Sequence, residues 1–355
     1  MVRLSDIIKG DKSPLEEEPE DKKSKKEQEK ISFRELQELS KELRKKDEVV
    51  SPEKKKREEE NVDKIYNDAY EFVEEIFEKA EKALSAIIDN GFRIISQMIE
   101  SIRVSDALFL KTVYKKGVPE NYISHSTNVC IYAIKLGLGL NYENHELQEL
   151  GMSAFFHDIG IIKVPEKILS KLEKLTPEDE RMIQRHSKYG HDIIMNGLGE
   201  KYQWLAEIVY QEHEREGGQG YPRGLKGEQI HEYAKIVGIS DVYEALTHNR
   251  PYRKRILPYN AVRGIIENYK DHFASQIIKV LLIELSVFPL HSYVKLNSNE
   301  IGMVIETSKV QPLKPVVKIL YDSKGKKIRD EKILDLRKTP LLYITESIHE
   351  EDFAT

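Results

Sequence analysis

The stretch FFHDIG at residues 155–160 ends an apolar run that has the spacing of a buried helix. Within it, His157 and Asp158 can direct an imidazole nitrogen and a carboxylate into one pocket, and a carboxylate can bridge two cations. Gly160 is expected to end the helix. The stretch therefore predicts a metal site at the end of a buried helix.

Four further segments with helical apolar spacing carry side chains of the same two ligand types. These side chains are His125, His186, the pair Glu212-His213, and Asp241. A helical bundle could bring all of them to one interior site, as di-iron helical proteins do. A single histidine on a helix is more often a surface or hydrogen-bonded residue than a ligand. The prediction therefore depends on the ordered set and on no single member.

Two motifs follow this set, GGQGYP at residues 217–222 and RPYR at residues 250–253. With them, residues 121–269 resemble the HD-GYP family, the bacterial branch of the HD-superfamily metal-dependent phosphohydrolases. The resemblance includes the tripeptide Gly-Tyr-Pro at residues 220–222, from which the family takes its name. It implies an all-α domain with a two- or three-metal centre that hydrolyses the bacterial messenger cyclic di-GMP.

The resemblance also implies roles for the metal ligands. Asp158 would be the catalytic carboxylate that bridges two divalent ions, which lower the pKa of a shared water to about 7 and hold the phosphate. The other expected ligands are His125, His157 and Asp241 toward one ion, His186 and His213 toward the other, and Glu212 as a further possible ligand. This mixture of imidazole and carboxylate suits iron or manganese better than magnesium or calcium, and zinc is an alternative.

Four side chains are expected to bind the substrate. Arg250 and Arg253 match family positions that hold phosphate, which guanidinium groups bind in bidentate fashion; alternatively, they form salt bridges at a helix end. Tyr221 could stack on a guanine or brace its loop. Lys163 could supply a cation close to the reacting phosphate.

The sequence departs from the family pattern at four positions. Ile161 replaces a usual lysine near the scissile phosphate, and Glu212 replaces the first histidine of a His-His-Glu motif. Asn121 stands where three-metal members carry a glutamate, which favours two metals, and Gly217 replaces an aspartate. The losses leave three hypotheses open: a cyclic-dinucleotide phosphodiesterase, a phosphohydrolase acting on another nucleotide, or a catalytically weak receptor that signals through its amino-terminal helix.

Composition narrows the cellular setting. Charged residues make up 33% of the chain, but the net charge is only -5, so nucleic acid is an unlikely partner. The single cysteine, Cys130, excludes an internal disulfide and fits a reducing cytoplasm. The amino-terminal residues lack the apolar core of a signal peptide, and no apolar stretch is long enough to cross a membrane. We expect a cytoplasmic protein.

The predicted fold is mainly α, an HD-type helical bundle with a helical or disordered amino-terminal extension and a small carboxy-terminal antiparallel β subdomain. Residues 1–60 form a charged tail, which is disordered or partly helical. Residues 61–103 form an amphipathic helix, or a helical hairpin broken near Asn90-Gly91, whose apolar stripe packs on the domain or, as we favour, in a homodimer. Residues 104–285 form the catalytic domain.

Residues 286–355 change to extended periodicity. Strands are predicted at 293–296, 301–307, 315–321 and 341–345, with a turn at 322–325. The resulting sheet covers the helical domain or docks a protein partner, as the amino-terminal helix also could. In the catalytic domain, ligand-bearing helices are predicted at 123–138, 147–156, 204–213 and 233–247, and Thr176-Pro177 begins another.

Overall fold

The computed structural model describes residues 52–114, 121–171, 173–249 and 254–353. Most of the predicted charged tail lies outside these residues. Within them the fold is mainly α, as predicted, with a small antiparallel sheet at the carboxy-terminal end. The α-helices are α1 (Pro52–Lys79), α2 (Ile88–Val104), α3 (Ala107–Tyr114), α4 (Tyr122–Gly139), α5 (Asn144–Phe156), α6 (Glu166–Leu169), α7 (Pro177–Gln184), α8 (His186–Leu198), α9 (Gln203–Gln211), α10 (Glu232–Thr247), α11 (Pro258–Tyr269) and α12 (Ser275–Glu284).

The amino-terminal segment is a hairpin of α1 and α2, but it breaks earlier than predicted. The two helices are joined by residues 80–87, which contain the short 3₁₀ turn Leu84–Ala86. Asn90 and Gly91 both lie inside α2. A Cβ at Gly91 would overlap the ring of Phe72 on α1. The glycine therefore permits close packing of the two helices, and the prediction of a break there was wrong.

The apolar stripe of α1 packs on its own chain. Its residues Ile65, Phe72 and Ile76 are buried in the core shared with the helical domain. The rings of Phe72 and Phe155 meet edge to face, with centroids 5.4 Å apart. Of the two arrangements considered for this stripe, the structure has packing on the domain, so burial of the stripe no longer gives a reason for a homodimer.

The helical domain is built around α4 and α5, which are buried along most of their length. The predicted ligand-bearing helices agree with α4, α5, α9 and α10 to within a few residues. The start of α7 follows the prediction, because Thr176 accepts a hydrogen bond from the Asp179 backbone N–H and Pro177 occupies the first turn. These helices place the polar residues of the next subsection at one interior position.

The carboxy-terminal sheet has the order β4-β3-β2-β1-β5, and every neighbouring pair is antiparallel. Its strands are β1 (Tyr293–Leu296), β2 (Ile301–Glu306), β3 (Val316–Tyr321), β4 (Lys327–Asp335) and β5 (Ile344–Ile348). The first three agree with the prediction, the fourth predicted strand only overlaps β5, and β4 was missed. The predicted turn holds Gly325 at a φ of 77°, between β3 and β4. The sheet follows Phe288, whose ring stacks on Tyr259 of the helical domain at 5.1 Å.

Within the described residues, no helix combines the length and the apolar character needed to cross a membrane.

Candidate metal centre

The seven predicted metal ligands come from five places in the helical domain and meet at one buried site. His125 lies on α4, His157 and Asp158 directly follow α5, and His186 begins α8. Glu212-His213 follow α9, and Asp241 lies on α10. Each of these seven residues is at most 3% exposed.

Asp158 occupies the middle of this cluster. Its Oδ2 lies 3.5 Å from Nε2 of His157 and 3.7 Å from Nε2 of His125. Its Oδ1 lies 3.5 Å from Nε2 of His186. The two oxygens of one carboxylate therefore face two different groups of histidines.

The two groups have different compositions. The first comprises His125, His157 and Asp158, and Asp241 adjoins it with Oδ1 at 3.1 Å from Nε2 of His125. The second comprises Asp158, His186, Glu212 and His213. In the second group, the Nε2 atoms of His186 and His213 are 2.9 Å apart, and Glu212 contacts His213.

Buried polar atoms at the site fit a bound cation. Oδ2 of Asp241 and Oε2 of Glu212 lack a hydrogen bond among the described residues, while Oδ1 of Asp241, Oε1 of Glu212 and Nε2 of His157 face other predicted ligands. A buried polar atom without a partner is destabilising by about 1–3 kcal/mol. Because these atoms are carboxylate oxygens and an imidazole nitrogen, the donor set suits divalent transition metals.

Neighbouring acceptors orient three of the histidines. Nδ1 of His157 lies 2.8 Å from the carbonyl of Ala154, and Nδ1 of His186 lies 2.6 Å from that of Ile183. Nδ1 of His125 lies 2.5 Å from Oε2 of Glu244. An imidazole that donates from Nδ1 keeps its Nε2 lone pair for a metal. All three Nε2 atoms face the centre of the cluster.

Glu244 was missed by the sequence reasoning. It follows Asp241 by three residues on α10, so the two carboxylates lie on neighbouring positions of one helix face. Glu244 is 3% exposed, and its Oε1 accepts a hydrogen bond from Nδ2 of Asn128 at 3.2 Å. The spacing of three residues is the signal that could have identified it.

The cluster sets the ionisation of its members. Burial opposes ionisation of Asp158, but the imidazoles of His157, His186 and His125 hold the pKa of its carboxyl below the ordinary value. Burial also opposes ionisation of Glu212. The imidazoles of His213 and His186 nevertheless hold the pKa of its carboxyl well below the ordinary range. Burial lowers the pKa of His213. Metal ligands of these types bind as carboxylates and neutral imidazoles.

Gly160 does not end the preceding helix, so that prediction was wrong. The helix α5 ends at Phe156, and Gly160 lies in the 3₁₀ turn Ile159–Lys163. A Cβ at Gly160 would overlap the backbone carbonyl of His186 and the backbone nitrogen of Gly190. The missing side chain allows the segment after Asp158 to approach α8 closely.

Ile161, which stands in place of the family's usual lysine, and Lys163 make contacts with residues other than the predicted ligands. Ile161 is 6% exposed and packs in a small apolar cluster with Val164 and Ile183. Lys163 forms an ion pair with Glu81, which lies in the connection of the amino-terminal hairpin. The ammonium of Lys163 is therefore occupied at the surface.

The loop that contains Tyr221 is held by hydrogen bonds and by ring stacking. Glu214 accepts hydrogen bonds from the backbone N–H groups of Arg223 at 2.7 Å and Leu225 at 2.9 Å. The ring of Tyr221 stacks on His213 with centroids 4.6 Å apart, and its N–H donates to the His213 carbonyl at 3.2 Å. Burial raises the pKa of Tyr221 well above its ordinary value, so its hydroxyl stays protonated.

The other positions singled out in the sequence are Arg250, Arg253, Asn121 and Gly217. Arg250 and Arg253 lie outside the described residues. Asn121 caps α4, because its Oδ1 accepts from the Ser124 N–H at 2.9 Å while its Nδ2 donates to Oη of Tyr70 at 3.0 Å. Its side chain is thus engaged in hydrogen bonds to a backbone group and a phenol. Gly217 lies in the ordered loop after Glu216.

Known proteins resemble this chain over both parts of the fold. Residues 116–277 match the family described as "HD domain", and residues 293–355 match "KOW domain associated with HD domain". A cyclic di-GMP phosphodiesterase from Pseudomonas aeruginosa is 29% identical over 68% of this chain and 58% of its own length. One from Borreliella burgdorferi is 28% identical over 64% of this chain and 58% of its own length.

A third relative, a 3'3'-cGAMP-specific phosphodiesterase from Vibrio cholerae, is 40% identical over 33% of this chain and 26% of its own length. The chain therefore spans little more than half of the length of the first two relatives, and less of the third. A solved HDG"Y"P protein from Bdellovibrio bacteriovorus shares the fold, with a TM-score of 0.55 and 19% identity over 71% of this chain and 80% of that one. Together these matches support the HD-GYP family for this chain, in which an HD domain is followed by a KOW domain.

Proposed function

We propose that this chain is a metal-dependent phosphodiesterase that hydrolyses cyclic di-GMP or a related cyclic dinucleotide. The observation that carries the proposal is the position of Asp158, whose two oxygens face two separate groups of imidazoles. Relatives named as phosphodiesterases of cyclic di-GMP and 3'3'-cGAMP support the substrate class.

Two divalent ions, iron or manganese, are the cofactors that fit the donor set. We assign His125, His157 and Asp241 to one ion, His186, Glu212 and His213 to the other, and Asp158 to both. Bound there, the ions would supply Lewis-acid charge for the phosphoryl oxygens and activate water near neutral pH. Glu212 adds a carboxylate to the second group, which favours a hard divalent metal.

The chain's own residues would hold the substrate. We propose that Arg250 and Arg253 bind its phosphate and that Tyr221 stacks on a guanine or braces the loop beside His213. Lys163 would reach the substrate only after leaving Glu81. The four residues would orient the phosphodiester toward Asp158.

A receptor with weak turnover is the second candidate. Ile161 contributes no cation and is buried in an apolar cluster, and Lys163 is paired elsewhere. A site without that cation would stabilise the charge of the transition state less than other family members do. Dinucleotide binding without appreciable hydrolysis would support this reading.

We place the protein in the cytoplasm, where its buried, unpaired Cys130 would stay reduced. The main ligand that we propose for this protein is the cyclic dinucleotide substrate. A homodimer or a protein partner would have to use a surface other than the covered stripe of α1.

Replacement of Asp158 should reduce metal binding and turnover, whereas replacement of the more exposed Asp192 should not. The full chain, loaded anaerobically with Mn²⁺ or Fe²⁺, is incubated with cyclic di-GMP or 3'3'-cGAMP, and linear dinucleotide and mononucleotide are quantified. Asp158→Asn should lower both bound metal and turnover, turnover by at least about 100-fold, because a shared ligand of both ions is lost. The control Asp192→Asn, which changes a partly exposed carboxylate paired with Lys188 and His191, should match the wild type.

Removal of metal by a chelator should abolish turnover, and added Mn²⁺ should restore it. A wild type that binds metal but neither binds nor cleaves either dinucleotide would refute the proposal. Tight binding of dinucleotide by the loaded protein without product would instead support the receptor.

A further inference from the structure

A buried chain of hydrogen bonds joins the amino-terminal helix α1 to His125. Oη of Tyr66 donates to Oδ1 of Asn128 at 3.0 Å, and Nδ2 of Asn128 donates to Oε1 of Glu244 at 3.2 Å. Oε2 of Glu244 lies 2.5 Å from Nδ1 of His125. The four residues are 2–4% exposed, so no bulk water competes for these contacts.

A second contact of α1 lies on the other side of His125. Tyr70, one helical turn after Tyr66, accepts a hydrogen bond from Nδ2 of Asn121 at 3.0 Å. Asn121 caps α4 four residues before His125, and Asn128 follows His125 by three residues. Two tyrosines on one face of α1 therefore hold the first two turns of α4 on either side of the histidine.

The tyrosines lie outside the part of the chain that matches the HD domain, which begins at residue 116. We propose that α1 is a positioning element of the metal site that contains His125, with Glu244 and Tyr66 as positioning residues. Glu244 fixes the ring orientation of His125, and Tyr66 fixes Glu244 through Asn128. The inference rests on the metal centre assigned under the proposed function.

The physical reason is the geometry of an imidazole ligand. Its Nε2 lone pair lies in the ring plane, so rotation of the ring moves the lone pair away from the metal. A hydrogen bond at Nδ1 restricts this rotation and raises the basicity of the ring, and its loss typically weakens metal binding by about 10–100-fold. The carboxylate of Glu244 is itself held by Asn128 and by Nδ1 of His248, which lies 3.3 Å from its Oε1. The carbonyl oxygen of Asn128 would lose a partner without Tyr66.

The test measures metal affinity on the full chain and does not depend on turnover. Mn²⁺ is titrated into metal-free protein in competition with a chelator of known affinity, and electron paramagnetic resonance counts the bound ions. Glu244→Ala should weaken one of the two sites by about 10–100-fold and leave the site of His186 and His213 unchanged. Glu244→Gln, which retains an acceptor oxygen for Nδ1, should restore most of the affinity.

Tyr66→Phe removes only the hydroxyl and should weaken the same site by about 3–10-fold. When it is combined with Glu244→Ala, it should cause no further loss, since Tyr66 acts through Glu244. Tyr243→Phe is the matched control. Like that of Tyr66, the hydroxyl of Tyr243 on α10 is buried, but it has no hydrogen bond among the described residues. It should leave Mn²⁺ affinity unchanged.

The melting temperature of the metal-free variants separates positioning from folding. If Tyr66→Phe lowers it but leaves Mn²⁺ affinity unchanged, or weakens both sites equally, the inference is overturned. Absence of cyclic-dinucleotide hydrolysis by a protein that binds two Mn²⁺ ions would refute the proposed function alone, because the affinity comparison would still stand.

Discussion

At the residue scale, the centre depends on contacts that bring helix ends close together. The segment after Asp158 runs against α8 at the level of His186, and only a residue without a Cβ fits between them. Asp158 and His186 belong to these two segments, and their facing atoms are 3.5 Å apart. Gly160 therefore determines whether the shared carboxylate reaches the second histidine group.

Gly160→Ala should displace the 3₁₀ turn from α8, because its Cβ would meet backbone atoms that cannot rotate away. We expect a loss of about 1–3 kcal/mol in the free energy of unfolding and at least about tenfold weaker Mn²⁺ binding. Denaturant unfolding of metal-free protein and Mn²⁺ titration measure the two effects.

The matched control is Gly264→Ala on α11, where an added Cβ meets nothing within 4 Å. It should stabilise the helix by up to about 1 kcal/mol and leave Mn²⁺ binding unchanged. Equal behaviour of the two alanine variants would contradict the role given to Gly160.

The sequence was sufficient to predict which residues gather, because His125, His157, Asp158, His186 and Asp241 form an ordered set that resembles the HD-GYP pattern. It was not sufficient for residues whose role arises from tertiary contact. The close approach at Gly160 and the hydrogen bond from His125 to Glu244 each join segments that are far apart in sequence. Local periodicity contains no information about such contacts.

At the element scale, α7 has the clearest start signal in the helical domain. Thr176 and Asp179 form a reciprocal capping box at its amino-terminal end. The ammonium of Lys171 and the backbone and hydroxyl of Thr176 hold the pKa of Asp179 at about 2, below its usual 3.8. The ionised carboxylate therefore stabilises the folded state at every pH above the ordinary carboxyl range.

This stabilisation should be lost as the pH falls from about 4 to about 2, since the unfolded state then binds a proton that the folded state resists. The difference in unfolding free energy between the wild type and Asp179→Asn should be constant above about pH 5 and shrink toward about pH 2. Chemical denaturation of metal-free protein across this range measures it. A difference that is independent of pH would show that the carboxylate charge has no part in the cap.

Elements with one buried face were predictable, and those without one were not. The strands β1 and β2 alternate between buried and partly exposed positions, which the sequence displays as extended periodicity. The missed strand β4 is charged and largely exposed on both faces, so it lacks that signal. The break in the amino-terminal hairpin was misplaced because Gly91 suits both a turn and a close helix contact.

At the scale of the whole molecule, the amino-terminal hairpin and the helical domain share one core. Phe72 of α1 is 1% exposed and lies against Phe155, two residues before His157. Residues outside the matched HD domain therefore contribute to the packing next to His157, one of the predicted metal ligands.

Phe72→Ala should lower the free energy of unfolding by about 3–5 kcal/mol, because it removes a buried ring from this shared core. Val104→Ala, which shortens a side chain that is 79% exposed, should change it by less than about 0.5 kcal/mol. Thermal and denaturant unfolding of both variants provide the comparison.

The melting temperature of the wild type should also be independent of protein concentration. The stripe of α1 is covered within one chain. A melting temperature that rises with concentration would show that a second copy contributes to stability.

The charged strand β4 forms one border of the sheet, where backbone N–H and C=O groups face outward. Its side chains Arg329, Asp330 and Lys332 are exposed; Glu331 forms an ion pair with Lys318 on β3, and Lys332 forms one with Glu300, directly before β2. A strand added at this border would have to strip water from these charges. The border is thereby protected against fibrous self-association through edge-to-edge pairing with another chain.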